Sequence, residues 1–173
     1  MEFKALIDAR RSVRGYAAAV PHDDLVTILT RAQQSPSWKN TQTARCYAVE
    51  SPEMLHRVRE ALPGFNRNSS ANAALLVTTY VKGESGFISE YPANEVDDWG
   101  AYDLGLRDAY LILAASDMGY DTLIMGIRDA DVLRALLDIP DEEEVMSVIA
   151  VGKRAADPVQ KPRKPLGEVA KFF

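Results

Sequence analysis

From Ala109 to Ala115 the chain carries no charge on any side of a segment whose periodicity is helical. Leu104, Leu111, Ala115 and Met118 mark one face of residues 102–118, and Leu106, Tyr110 and Leu113 mark another. A helix that is apolar all round must be buried all round. In a chain of 173 residues this leaves the centre of the domain or an interface between subunits. Gly119 follows as the expected C-terminal cap.

Around that helix the pattern alternates between α and β. Phe3, Leu6 and Ile7 predict a short amphipathic helix over 2–9. Pro21 opens a second, with His22 or Asp23 as N-cap, and Pro36 stops it. Ser51-Pro52 starts a third, ended by Pro63-Gly64, and Asp129 caps a fourth whose face is Val132, Leu133, Leu136 and Leu137. Strands are predicted at 45–50, 74–81, 121–125 and 145–151. Hydrophobic residues make up 47% and charged residues 26%, ordinary values for a chain that buries roughly 70% of its unfolded surface. One domain over 1–173 is expected, with 155–173 as a tail too polar to build its own core. Residues 83–100, with Phe87, Tyr91 and Trp99, are long for a connection and suit a lid or binding loop.

Twenty Lys+Arg against 25 Asp+Glu give a net charge of −5, a poor balance for nucleic-acid binding. Cys46 is the only cysteine, which excludes an intrachain disulfide and a CxxC centre. It reads as a small core residue within a strand. His22 and His56 are the only histidines and have no metal-ligand spacing. The N-terminus is too charged for a signal peptide, and no apolar run approaches the ~20 residues of a membrane span. The expected setting is cytoplasmic, without nucleic acid, membrane or metal as partner.

Three groups of polar residues are candidates for a site. Arg10, Arg11, Ser12 and Arg14 place three guanidiniums and a hydroxyl within five residues. Arginine's planar fork of donors matches phosphate oxygens, and the same spacing suits a solvated basic turn. In the loop from Pro36 to Gln42, Ser37, Asn40 and Gln42 supply donors and acceptors, and Trp38 a flat apolar face; an ordinary polar turn has the same composition. Lys161, Arg163 and Lys164 form a second basic cluster that either stays in water or joins the N-terminal arginines around one anion.

GxGxxG, GxxxxGK[ST] and GxSxG are all absent. Acid pairs such as Asp97-Asp98, and the run Glu142-Glu143-Glu144, sit in turn-like contexts and read as solvated. Anion grips without an evident acid, base or nucleophile fit a protein whose chemistry belongs to a bound phosphorylated cofactor.

Four blocks, in order, resemble the nitroreductase family of FMN-dependent oxidoreductases. They are Arg10-Arg11-Ser12-Val13-Arg14-Gly15-Tyr16, Ser35-Pro36-Ser37-Trp38-Lys39-Asn40-Thr41-Gln42, the 103–126 stretch ending Ile124-Met125-Gly126, and Val151-Gly152 with Lys161-Pro162-Arg163-Lys164-Pro165-Leu166. The resemblance implies an α+β fold, a mostly antiparallel central sheet flanked by helices, in an intertwined homodimer. It implies FMN at the dimer interface and NADH or NADPH as reductant. Reduction of an electron-poor acceptor such as a nitroaromatic or quinone would follow, by ping-pong hydride transfer through flavin N5. By position, Arg10, Ser12, Lys161 and Arg163 would hold the phosphate, with Arg11 beside them, and Arg14 would lie near the N1/O2 edge of the ring. Ser37 and Asn40 would reach the flavin from the partner subunit, with Pro36, Trp38 and Gln42 nearby. Asn66, with Asn68 as a rival, and the backbone of Met125 and Gly126 would lie beside the ring. No side-chain acid or base is implied. Divergent flavin chemistry and non-enzymatic FMN storage are the alternative functions. Thr43-Ala44 depart from the Pro-Trp that often follows the Asn-x-Gln motif.

Overall fold

A computed structural model describes residues 2–86 and 99–173. Among these residues five strands form one sheet organised by β5 (Glu143–Arg154). Numbered along the chain, the others are β1 (Tyr16–Ala19), β2 (Ala44–Val49), β3 (Ala74–Val81) and β4 (Asp121–Met125). β3 runs antiparallel to β5, with Ala74 opposite Val151 and Val81 opposite Glu143. Beyond Val151, β1 takes over that edge, with Ala19 opposite Gly152. β4 occupies the other edge of β5, and β2 pairs outside β3. All four ladders are antiparallel.

Both faces of the sheet are covered, which explains why β3 is apolar nearly throughout. Leu75 and Val77 enter one core with Val148 and Ala150 of β5, Leu55 and Val58 of α3 (Pro52–Glu60) and Leu133 of α6 (Ala130–Leu137). Leu76 points the opposite way. It packs with Ile149 and Val151, with Leu25 and Ile28 of α2 (His22–Ala32), and with Leu111 and Ala115 of α5 (Gly100–Asp117). The two-residue period of a strand sorts the side chains between these cores. Burying each large aliphatic side chain contributes about 1.5–3 kcal/mol. The remaining helices are α1 (Phe3–Ala9), α4 (Gly64–Ser69) and α7 (Leu166–Val169). Among the described residues no helix is long and apolar enough to cross a membrane.

Several elements differ from the sequence reading. Pro21 is the N-cap of α2 and His22 its first residue; the Pro21 carbonyl accepts from the Leu25 amide. The helix ends at Ala32, where a tight turn through Ser35 takes over before Pro36. Pro63 begins α4, an element the reading missed. β1 was also missed, because Ala17, Ala18 and Ala19 have little strand propensity and are held there by pairing with β5. Gly152 permits that pairing. A Cβ on it would lie 2.5 Å from the Ala18 carbonyl oxygen. β5 begins earlier than expected, and Glu143 is buried, not solvated: it accepts from Tyr47 at 3.0 Å and from the Thr79 hydroxyl.

Helix α5 is not buried on every side of this single chain. Leu104, Leu111, Ala114 and Ala115 are buried, but Tyr102 and Tyr110 are 60% and 43% exposed. Leu106 and Leu113 are only half-buried. Its buried face also carries Asp103, Arg107 and Asp108, which the apolar count from Ala109 onward had passed over. Gly119 does follow as the left-handed cap residue, with φ +75°. The 83–100 stretch, expected as a lid or binding loop, falls largely on residues 87–98, including Phe87, Tyr91 and Asp97-Asp98, which lie outside the described residues.

Candidate functional site

The N-terminal arginines are displayed by an extended segment that borrows the edge of β4. Ser12 forms a parallel bridge with Thr122, and the Val13 amide donates to the Thr122 carbonyl at 3.0 Å. Strand alternation then sends Val13 into the core and leaves Ser12 and Arg14 on the outer side. Gly15, at φ +99°, turns the chain into β1; its amide donates to the Ser69 carbonyl and its own carbonyl accepts from Ala155. The start of the tail is thereby tied beside the arginines.

Residues 156–163 complete the cavity. Arg10, Arg11, Ser12, Arg14, Lys161 and Arg163 line a space of about 450 Å³ together with Asp157 and intervening tail residues. Burial, then the charges of Arg163 and Arg11, lower the pKa of Arg10 from its ordinary value. Among the described residues no carboxylate lies within ion-pair distance of these five cations. Arg154, next to them, is different. It makes a two-pronged pair with Asp121, at 2.8 and 2.6 Å, and reaches Asp157 at 3.0 Å. The nearby carboxylates are thus taken up by Arg154, while the cavity cations crowd one another. Such a donor set fits a phosphate monoester, which offers negative charge and several acceptor oxygens to arginine forks.

Asn66 of α4 is buried outside the lining of this cavity, and its side-chain amide donates to the Ile127 carbonyl at 3.1 Å. That bond ties α4 to the segment leaving β4. Asn68 is exposed. The Met125 side chain lies in the core, and Gly126 is exposed with its carbonyl bonded to Arg128.

The second group occupies a separate place. Ser35, Pro36, Ser37 and Gln42 line a cavity of about 340 Å³ with Cys46, Asp103 and Arg107. It shares no lining residue with the first. Trp38 and Asn40 lie on a 3-10 turn between Ser37 and Gln42, Trp38 half-buried under the Lys39 ammonium at 4.7 Å and Asn40 exposed. Lys39, Asn40 and Gln42 have φ of 45°, 59° and 51°. Left-handed backbone costs about 1–2 kcal/mol at an ordinary residue and less at asparagine. Three such residues in one short loop require bonds that hold them. The Ser37 hydroxyl accepts from the Gln42 amide at 3.0 Å, and Asp103 accepts from the Trp38 amide at 3.0 Å.

Sequence reasoning missed the charged residues of α5. Arg107 and Asp108 approach at 3.9 Å, and among the described residues neither Arg107 Nη1 nor Asp108 Oδ1 has a hydrogen-bond partner. Burial pushes the Asp108 carboxyl up to about 6, against the opposing pull of Arg107 and the Thr78 hydroxyl. Burial also pushes the Cys46 thiol up to about 11, which removes it as a nucleophile near neutral pH.

The antiparallel sheet, covered by helices on both faces, agrees with the comparisons to known proteins. The nitroreductase family profile matches residues 7–153. The chain belongs to the nitroreductase family. A protein of Archaeoglobus fulgidus, provisionally named an NADH dehydrogenase/NAD(P)H nitroreductase, is 30% identical over 152 residues, covering 85% of this chain and 82% of its own. A solved structure described as an oxidoreductase containing FMN is 27% identical, with a TM-score of 0.81 over 96% of this chain and 89% of that one. A provisionally assigned nitroreductase of Exiguobacterium sibiricum, solved in complex with FMN, shares the fold at a TM-score of 0.87 and 20% identity. The match covers 100% of this chain and 98% of that one.

Proposed function

We propose that this nitroreductase-family protein is an FMN-dependent NAD(P)H oxidoreductase that reduces electron-poor acceptors such as nitroaromatics and quinones. The convergence of Arg10, Arg11, Ser12, Lys161 and Arg163 on one cavity, with no carboxylate within ion-pair distance of these cations among the described residues, is the observation that carries this reading. The relatives named for FMN and for NAD(P)H support it.

Arg10, Ser12, Lys161 and Arg163 bind the FMN phosphate, with Arg11 adding charge. Arg14, exposed on the same segment, is the cation available to offset negative charge on the ring system. Asn66 holds the segment after β4 in place through Ile127, so that the exposed backbone at Gly126 borders the site. When bound, FMN would supply the two-electron redox chemistry that links the reduced nicotinamide to the acceptor. The protein's own contribution is placement and electrostatics. The loop bearing Ser37 and Asn40 lines a different cavity from the cradle in one chain. We place its reach to flavin in a second copy of the chain, and the homodimer on the open face of α5 at Tyr102 and Tyr110.

An anaerobic visible spectrum of the FMN-loaded protein, before and after NADH or NADPH, tests this function. Bleaching of the flavin bands on adding nucleotide is the expected result. A flavin spectrum that persists would instead indicate storage or other flavin chemistry, and failure to retain FMN would reject the cofactor.

A further inference from the structure

We propose that Asp103 is a positioning residue that sets the shape of the 36–42 loop and so the presentation of Ser37 and Asn40 to FMN; this rests on the flavin reading above. Asp103 lies in the first turn of α5 and is 3% exposed. Its Oδ2 accepts from two donors in different parts of the chain. One is the Trp38 amide at 3.0 Å, and the other is the Ser85 hydroxyl at 2.6 Å.

The first bond falls where the loop needs it. Trp38 is the first residue of the 3-10 turn, ahead of the turn's own bond from the Asn40 amide to the Ser37 carbonyl at 3.0 Å. The preceding residue, Ser37, gives no side-chain cap to that turn, because its hydroxyl accepts from Gln42 instead. Asp103 takes over the capping from a distant helix. A carboxylate accepting from a backbone amide is a charge-assisted bond, stronger than a neutral one. It precedes three left-handed residues, Lys39, Asn40 and Gln42, a conformation that persists only when surrounding contacts over-determine it.

The second bond extends the same carboxylate to another connection. Ser85 is fully buried and its carbonyl accepts from the Trp99 amide at 2.6 Å; the Trp99 carbonyl in turn accepts from the Asp103 amide at 2.9 Å. Asp103 therefore holds Ser85 and Trp99, the two roots of the intervening segment, to the same point that holds Trp38. Change at this one side chain reaches the 36–42 loop and Ser85 together.

Trypsin cleavage after Lys39 reads the loop directly, and titration of flavin-free protein with FMN reads the consequence. Asp103→Ala is expected to speed cleavage after Lys39 about tenfold relative to other sites, and to weaken FMN binding about tenfold. Asp103→Asn keeps an oxygen for the Trp38 amide and is expected to restore most of both. Unchanged cleavage after Lys39 in a folded Asp103→Ala protein overturns the proposal. Faster cleavage with unchanged FMN affinity overturns its link to the flavin. If the wild-type protein binds no FMN, the flavin reading itself falls, and cleavage after Lys39 still decides whether Asp103 holds the loop. Should Asp103→Ala not fold, hydrogen exchange on the wild type decides: the Trp38 amide must be protected, and exchange at a free-loop rate overturns the proposal.

Discussion

Arg163, in the C-terminal segment, presses its charge on Arg10, which closes the end of α1, and helps lower the pKa of that guanidinium. Nothing in the local sequence of either residue calls for the other. The tail is brought there by the bond from the Ala155 amide to the Gly15 carbonyl, and by Arg154, anchored on Asp121. Two like charges kept together beside a cavity repel each other until an anion enters.

Arg10→Ala should therefore weaken FMN binding about tenfold to a hundredfold, the loss of one charge-assisted contact of about 1.5–3 kcal/mol. Riboflavin, which lacks the phosphate, should bind the variant and the wild type alike. Fluorescence titration with both ligands makes the comparison, and equal FMN affinities would remove the phosphate assignment.

A complementation experiment tests the shared site. Suppose each flavin is held by the cradle of one subunit and the 36–42 loop of the other. Mixed dimers of Arg10→Ala with Asn40→Ala subunits then concentrate both defects in one site and leave the other intact. Mixing two poorly binding variants should restore about half of the high-affinity FMN sites in each mixed dimer. If both site halves come from one chain, mixing restores none.

What was legible in the chain was local. Ser51 caps α3 by accepting from the Met54 amide, Asp129 caps α6 by accepting from Val132, and β3 is apolar on both faces because both are covered. The Arg10–Arg14 block and the Lys161–Arg163 cluster were visible as charge, and their joining around one cavity was named as one of two readings. Other features depend on partners distant in sequence. β1 exists because β5 pairs with it. Glu143 is buried because Tyr47 and Thr79 satisfy it. Asp103 could not be singled out because its partners, Trp38 and Ser85, lie on two other loops. The open face of α5 is the reverse case: its apolar composition exceeds what one chain buries, and that surplus was readable from the sequence.

Gly152→Ala should destabilise the fold by about 1–3 kcal/mol, the usual cost of forcing extra volume into a packed site. The added Cβ meets backbone, the Ala18 carbonyl oxygen at 2.5 Å, and the Tyr16 ring at 3.0 Å. Backbone cannot turn aside as a flexible side chain can, so β1 must move away from β5. Because β1 continues directly from Arg14 and Gly15, FMN affinity should fall as well. Thermal unfolding and FMN titration of the same preparation measure both, and an unchanged midpoint would show that β1 yields freely.

Asp108 should make stability depend on pH in the direction opposite to most carboxylates. Its folded pKa, raised to about 6 chiefly by burial, lies above the ordinary value of 3.8. Between those values the folded chain holds the Asp108 proton and the unfolded chain has released it. Stability therefore declines as pH rises through the window, by an amount approaching about 3 kcal/mol for a gap of this size. Asp108→Asn cannot titrate. Its stability relative to wild type should thus rise from pH 4 to pH 6 and then level off, whatever the constant cost of leaving Arg107 without its neighbouring charge. Urea unfolding of both proteins across pH 4–7 measures this difference. Parallel profiles would mean that Asp108 is ionised in the folded protein throughout, its burial offset by Arg107 at 3.9 Å.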